Sequence, residues 1–494
     1  MSKPKPILVL TEVLHLGMVD ENAFEKFESK KGKYFHKYHA LFWEEKPYAK
    51  KLLLFRGEGK DEWIKPRSTK GTNIKALQKF LQEHGFMPGA RLDGVFGYWT
   101  LASLRLFQEY CRTVLGSVKD KNGKSLPPIG IPDGRVFKTT LKYMEYWRHN
   151  KLQCKWGPNK VDPDNPKNYS WTKSTKEYDL WLKLLTKSQQ HYANMLKKKK
   201  ATGDDLKLFQ LKDLEDYSKK TATKKVNEWS DKPEEIHLIG IRRKQEKRAR
   251  TRGNDDLFVL LMNGLVFKFW GSTDPKPADS LDQEPYLIEG QHKYKLAWHK
   301  VSRSTRIYKA LRPCAPGVLV YRDWGKNDAL LEKDIRKGLA HNPTKKKKLN
   351  NPNTTINIHW TGDGLGNWSA GCQVISGRSY VNNEGKLIDC SSFSAAGYDT
   401  LSSVSKPRVL RNRGAYTFIS DFILAYSKVK VGVEHDVLYT LWNDEAVQQF
   451  IDPKLKGILA LQTQDILDQF KKEDEKGMIA GFVSQMKNSQ NIKK

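Results

Sequence analysis

Asp256 to Trp270 reads DLFVLLMNGLVFKFW, and the fold class turns on it. Two apolar runs flank Asn263-Gly264, a favoured two-residue hairpin signal, so the stretch reads as strand, turn, strand. Outward from it, Ile236-His237-Leu238-Ile239-Gly240-Ile241-Arg242 reads as a strand and Gly271 to Pro275 as a turn. Short apolar segments follow between Tyr286 and Trp298, and Gly317 to Asp323 reads as another strand. Many short strands with turn punctuation indicate a mostly β domain.

Further along, Thr355-Ile356-Asn357-Ile358-His359-Trp360 reads as a strand, Thr361 to Asn367 as a Gly-rich turn, and Trp368-Ser369-Ala370-Gly371-Cys372-Gln373-Val374-Ile375 as a second strand. Side chains alternate faces along a strand. Ile356, Ile358 and Trp360 therefore share a face that suits a core, and Asn357 and His359 share the other, which suits a groove. Cys372 and Val374 share a face opposite Gln373 and Ile375. A thiol nucleophile needs a base within hydrogen-bond reach, because a lone Cys is mostly protonated at neutral pH. Neighbouring strands would supply that proximity for His359 and Cys372. Gly371 leaves room for an incoming carbonyl, and backbone N–H groups from Ser369 to Cys372 are candidate oxyanion donors. Residue chemistry alone also allows a buried structural thiol and a structural strand His.

The run His359, then Ser369-Ala370-Gly371-Cys372, resembles the His…Ser-x-Gly-Cys signature of L,D-transpeptidase catalytic domains. The resemblance covers roughly residues 232–430. It implies that Cys372 is the nucleophile and His359 the base, with Ser369 and Gly371 as motif residues, acting on peptidoglycan stem peptides without a cofactor or metal. Trp360, Trp368, Arg242, Arg322 and Arg378 are then candidates for substrate binding; with Asp256, the arginines form either a charged groove or structural ion pairs. Two departures stand out. The His-to-Cys gap is shorter than in the common form, and Ala370 stands where that form has a second His. In this the chain is similar to a divergent branch found in phage-like and secreted proteins. The departures leave open L,D-carboxypeptidase or L,D-transpeptidase activity. The alternative is a non-catalytic wall-binding structural component of a phage or contractile injection particle.

Upstream, Ile74, Leu77 and Leu81 fall at helical spacing, and Gly85 is placed to end that helix. Asp93-Gly94-Val95-Phe96-Gly97 reads as a turn before a second helix carrying Leu101, Leu104 and Phe107 on one face. Pro132 to Thr140 echoes the Asp-Gly…Thr pattern ahead of a final helix, Leu141 to Trp147. Leu77-Gln78, Gly85, Asp93-Gly94, Phe96-Gly97, Thr100 and Phe107-Gln108 together resemble the three-helix peptidoglycan-binding module. Asp93 is a motif position, and Arg91, Tyr98 and Trp99 are candidate contacts, with core packing as the competing reading.

Composition bounds the remainder. A chain of 494 residues should hold about three domains, and fourteen Trp are ample for real cores. The expected architecture is α+β and multidomain. It runs from an N-terminal segment (1–70) through the three-helix module (71–150) and a helical linker (151–231) to a mostly-β catalytic domain (232–430) and a helical C-terminal extension (431–494). Tyr178, Trp181, Leu182 and Leu185, then Leu206, Phe209, Leu211 and Leu214, follow helical spacing in the linker, as do Leu455, Ile458, Leu459, Ile466 and Phe470 in the tail. A net charge of +31 implies polyanionic surroundings. Lys197–Lys200 and Lys345–Lys348 carry no nucleic-acid motif, so no specific nucleic-acid partner is expected. Five cysteines show no zinc spacing, and there is no His-Glu-x-x-His. Nothing has transmembrane length. Met1 to Pro6 leads into a short apolar run without a signal-peptide core or cleavage site. The expectation is cytoplasmic synthesis, then action in the periplasm or cell wall after non-Sec export, injection or lysis, as an exported effector (a toxin) or virion-type enzyme. A secretion or injection machine, or a phage particle, and an immunity protein join the stem peptides as expected partners.

Overall fold

The computed structural model describes residues 6–24, 67–88, 92–120, 122–157, 160–161, 169–170, 174–197, 205–242, 254, 256–275, 284–299, 308–324, 330–339, 351–361, 369, 371–394, 412–426 and 436–450. Its architecture is α+β. The larger unit carries a ten-stranded sheet, eight strands of which concern the barrel: β1 (Ile236–Arg242), β2 (Asp256–Met262), β3 (Leu265–Ser272), β4 (Gly290–His299), β5 (Tyr308–Pro313), β6 (Ile358–Trp360), β7 (Gln373–Ile375) and β8 (Asp436–Asn443). They pair in the order β7-β6-β5-β4-β8-β1-β2-β3, and β7 pairs again with β3, so the sheet closes into a barrel. Two pairings are parallel, β8 with β1 and β6 with β7. The β2–β3 hairpin turns on Asn263 and Gly264, both at positive φ (61° and 73°), as the Asn-Gly signal predicts. Closure depends on Gly271: a Cβ there would sit 1.8 Å from the Val374 carbonyl oxygen, so only glycine lets the two backbones meet.

Alternation sorts the strand residues onto two faces. One apolar cluster takes Leu238, Phe258, Phe267, Tyr294, Leu311, Ile358, Ile375 and Tyr439, one from each strand, and so lines the barrel interior. Helix α6 (Ala415–Tyr426) joins that cluster, with Phe418 and Phe422 against Phe267 at ring separations of 5.1 and 4.9 Å. Outward-facing Ile239, Val259, Val266 and Trp270 pack instead beneath α4 (Lys176–Lys197) and α7 (Asp444–Phe450). Lys268 joins the same layer through an ion pair with Glu177 at 2.5 Å.

The smaller unit holds α1 (Asn73–Glu83), α2 (Tyr98–Tyr110) and α3 (Lys138–His149). Its two loops repeat one device. The Gln78 side-chain NH2 donates to Asp93 Oδ1 (2.9 Å), Val95 O (3.1 Å) and Thr100 Oγ1 (3.1 Å), while its Oε1 accepts from the Gly94 N–H at 2.9 Å. Gln108 does the same with Asp133 Oδ1 (3.0 Å), Arg135 O (3.0 Å), Thr140 Oγ1 (3.5 Å) and the Gly134 N–H (2.8 Å). The Asp-Gly…Thr echo is thus an internal repeat in space, each Gln locking its helix to the loop that launches the next.

Three segments take part in the fold in ways that local patterns do not predict. Residues 14–20 belong to the helical unit: Leu14, Leu16 and Met18 lie in its core, and Met18 and Leu14 accept backbone bonds from Phe96 and Val136 in the two repeated loops. The linker's α4 runs through Lys197 and packs on the barrel; α5 (Leu206–Asp216) follows it. The segment after 430 supplies β8, central in the sheet between β4 and β1, where a helical extension was expected. The tail positions Leu455 to Phe470 and the Lys345–Lys348 cluster lie outside the described residues. The two units share one core. Between α2 and α6, the Asp421 carboxylate meets Lys309 at 2.6 Å and Arg105 at 3.7 Å, all three nearly sealed from solvent.

Candidate active site

The site is built on β6 and β7. A dozen residues separate two parallel strands here, which is about what a parallel connection needs. Register pairs Ile358 with Gln373 and His359 with Val374. One step back along both strands Asn357 lies opposite Cys372, and the Gln373 N–H donates to the Asn357 carbonyl at 2.9 Å. Asn357, His359, Cys372 and Val374 therefore share the outer face. His359 and Cys372 stand as diagonal neighbours on that face.

Several contacts fix β6. Asn353 Oδ1 accepts from the Thr355 N–H (2.7 Å), the Thr355 hydroxyl (2.9 Å) and the Ile356 N–H (3.2 Å), setting the turn that starts the strand. From the barrel interior the Tyr294 hydroxyl donates to Ile356 O at 2.9 Å, and the Tyr416 hydroxyl donates to Ile358 O at 3.1 Å. Burial pushes the Tyr294 phenol well above its ordinary range, so it stays a donor.

His359 is buried, and its Nδ1 lies 2.8 Å from the Trp360 carbonyl oxygen. A carbonyl only accepts, so Nδ1 carries a proton, and the tautomer that leaves the lone pair on Nε2 is the one this contact selects. Cys372 is half-buried and a free thiol. Its Sγ donates to Thr355 O at 3.1 Å and accepts from the Asn357 N–H at 3.4 Å; Asn357 Nδ2 stands 3.8 Å away. Of the other free thiols, Cys314 is half-buried as well, and Cys111, Cys154 and Cys390 are buried. Burial raises each of these three, Cys154 to about 12, which suppresses the thiolate.

The remaining predicted residues scatter. At Gly371 the space a Cβ would fill is taken by Pro285 Cγ (2.7 Å) and Ile356 Cδ1 (3.2 Å), so this glycine is needed for close packing at the start of β7. Pro285 pairs with Arg322 across a short ladder, which puts half-buried Arg322 one strand position from the site. Ser369 is buried. Trp360 points into the core beneath the Arg413 guanidinium, 4.2 Å from its ring centroid, and not into a groove. Arg242 clamps a turn: it donates to Thr273 Oγ1 (3.1 Å), Thr273 O (3.1 Å) and Leu287 O (3.3 Å), and pairs with Asp274 at 3.1 Å. Asp256 accepts from the same Thr273 hydroxyl at 2.7 Å, so these charges serve the fold. Arg378 is buried beside its backbone bond to Cys390. In the helical unit Tyr98 is buried and Trp99 half-buried against the core. Burial raises the Asp93 carboxyl, and Gln78 holds it. Trp368 and Arg91 lie outside the described residues.

Thr355, Asn357 and Tyr294 were not assigned roles from sequence. Alternation already placed Asn357 beside His359; only the parallel register sets it opposite the sulfur. No group of His, Cys, Asp and Glu suited to a metal occurs among the described residues, and none of their helices is long and apolar enough to cross a membrane. Comparison of the chain with family models, curated proteins and solved structures finds no match.

Proposed function

We propose that the chain is a Cys/His acyl-transfer enzyme acting on peptidoglycan stem peptides, with the three-helix unit as its wall-binding element. The observation that carries this reading is the shared outer face of β6 and β7. There a half-exposed free thiol is diagonal to an imidazole whose Nδ1 is tied to Trp360 O. His359 Nε2 takes the thiol proton. The thiolate attacks the carbonyl of the third, diamino-acid residue, and backbone N–H groups around Gly371 and Cys372 hold the oxyanion. As the C–N bond breaks, His359 returns the proton to the departing terminal D-amino acid, leaving a thioester on Cys372. Water then attacks, giving its proton to His359, and the thiolate leaves: the outcome is L,D-carboxypeptidase activity. A second stem amine in place of water gives a 3–3 crosslink. Delivery to the wall by an injection machine, phage particle or lysis, and an immunity partner, belong to the same proposal.

Mass spectrometry of muropeptides incubated with the full chain tests it. Wild type should release D-alanine or join stems. Cys372→Ala should lose at least roughly 10³-fold of that activity while still binding sacculi. Unchanged release by the variant sinks the nucleophile assignment, and sacculus binding without turnover by wild type points to the non-catalytic wall component.

A further inference from the structure

We infer that Asn357 is a positioning residue that holds the Cys372 thiolate, an inference that rests on Cys372 being the nucleophile. Two donors of one residue converge on the sulfur, the backbone N–H at 3.4 Å and the side-chain Nδ2 at 3.8 Å. Asn357 is buried, so its side chain reaches the sulfur from within the protein and leaves the exposed side of Cys372 for substrate. Its placement is determined by the parallel ladder, where the Asn357 carbonyl accepts from Gln373 and fixes the two strands one residue from the thiol.

The contacts divide the two protonation states between them. Thr355 O can only accept, so it holds the S–H form at 3.1 Å. The Asn357 donors hold the S⁻ form, because N–H groups aimed at an anion favour it. When His359 removes the proton, the Thr355 contact loses its donor and the Asn357 contacts strengthen. The sulfur is thereby drawn toward the Asn357 side of the cleft, a fixed starting point for attack. Asn357 touches neither the substrate carbonyl nor the leaving group in this scheme; it acts through the thiol.

The test is the pH profile of Cys372 alkylation by iodoacetamide, followed on the peptide that carries Cys372 in the full chain. Circular dichroism confirms folding of wild type, Asn357→Ala and the isosteric Asn357→Asp. Wild type should titrate below an ordinary thiol, which sits near about 8.5. Asn357→Ala loses the Nδ2 donor but keeps the backbone one, so alkylation at pH 7 should slow about three- to tenfold. Asn357→Asp puts a carboxylate against the sulfur and should slow it more than about tenfold. Above pH 10 the three rates should converge, because each thiol is then ionised; a purely structural role would not give that pattern. A depressed wild-type midpoint with superimposable Asn357→Ala and Asn357→Asp profiles overturns the inference alone. An ordinary wild-type midpoint overturns the nucleophile reading, and the inference with it.

Discussion

Gln78 and Cys372 each sit at the centre of a polar cluster, and the two clusters are made differently. Around Gln78 an amide with fixed geometry meets four partners at 2.9–3.1 Å, all inside the helical unit. Around Cys372 a sulfur, a weak donor and a weak acceptor, meets its partners at 3.1–3.8 Å and stays half-exposed. The first cluster converts polar atoms into shape. The second gives little stability and leaves the central atom free to change its protonation state. A motif residue is thus a weak guide to its own role until its partners are known. Gln78 and Asp93 sit in a wall-binding-like pattern yet are committed to one another.

The sharpest way to break this contrast is Gln78→Ala. It strands the Gly94 N–H and takes one donor each from the Val95 carbonyl and the Asp93 carboxyl, and should cost about 2–3 kcal/mol in urea unfolding. Gln108→Ala should cost slightly less, since its Thr140 contact is longer at 3.5 Å. A loss below about 0.5 kcal/mol in both would remove the structural reading of the repeat.

A smaller effect should come from His292, a Gln78-like case in the barrel interior. Its Nε2–H donates to Ile288 O at 3.0 Å and its Nδ1 accepts from the Thr223 hydroxyl at 2.9 Å. Burial pushes the imidazole down to about 3. The folded chain keeps it neutral, whereas the unfolded chain protonates it near the ordinary value of about 6.5. The unfolded state then binds the extra proton. Its contribution is complete above that pH and falls toward pH 3 by up to about 1.4 kcal/mol per unit. Buried His237, also lowered by burial, acts in the same sense. Urea midpoints between pH 5 and 7 should slope less in His292→Gln than in wild type; equal slopes would remove His292 from the account. Smallest of all, Cys372→Ala should shift the unfolding free energy by no more than about 0.5 kcal/mol. A loss above about 2 kcal/mol would mean that the thiol holds the seam of the barrel.

Local signals carried into the structure and long-range ones did not. The hairpin at Asn263-Gly264, the strand Ile236–Arg242 and helix α1 are legible because a turn dipeptide or a period of a few residues specifies each. The alternation Ile356-Asn357-Ile358-His359 gave the faces of β6. It could not give the parallel pairing with β7, because strand order is decided by what closes the barrel. Val437-Leu438-Tyr439-Thr440-Leu441-Trp442, read as part of a helical extension, is a short run rich in β-branched, aromatic and Leu residues that fits a strand buried on both faces, as β8 is. The role of residues 14–20 in the helical unit depends on pairing with loops near 96 and 136, and no local period encodes that.

Helix α6 is buried at every position, between the barrel and the three-helix unit. A helix with no wet side cannot serve as a hinge. The three-helix unit is accordingly held to the barrel, and to Cys372, at one set span and angle, as by a caliper and not a leash. The reach of the sulfur is a dimension written into the interior of the protein.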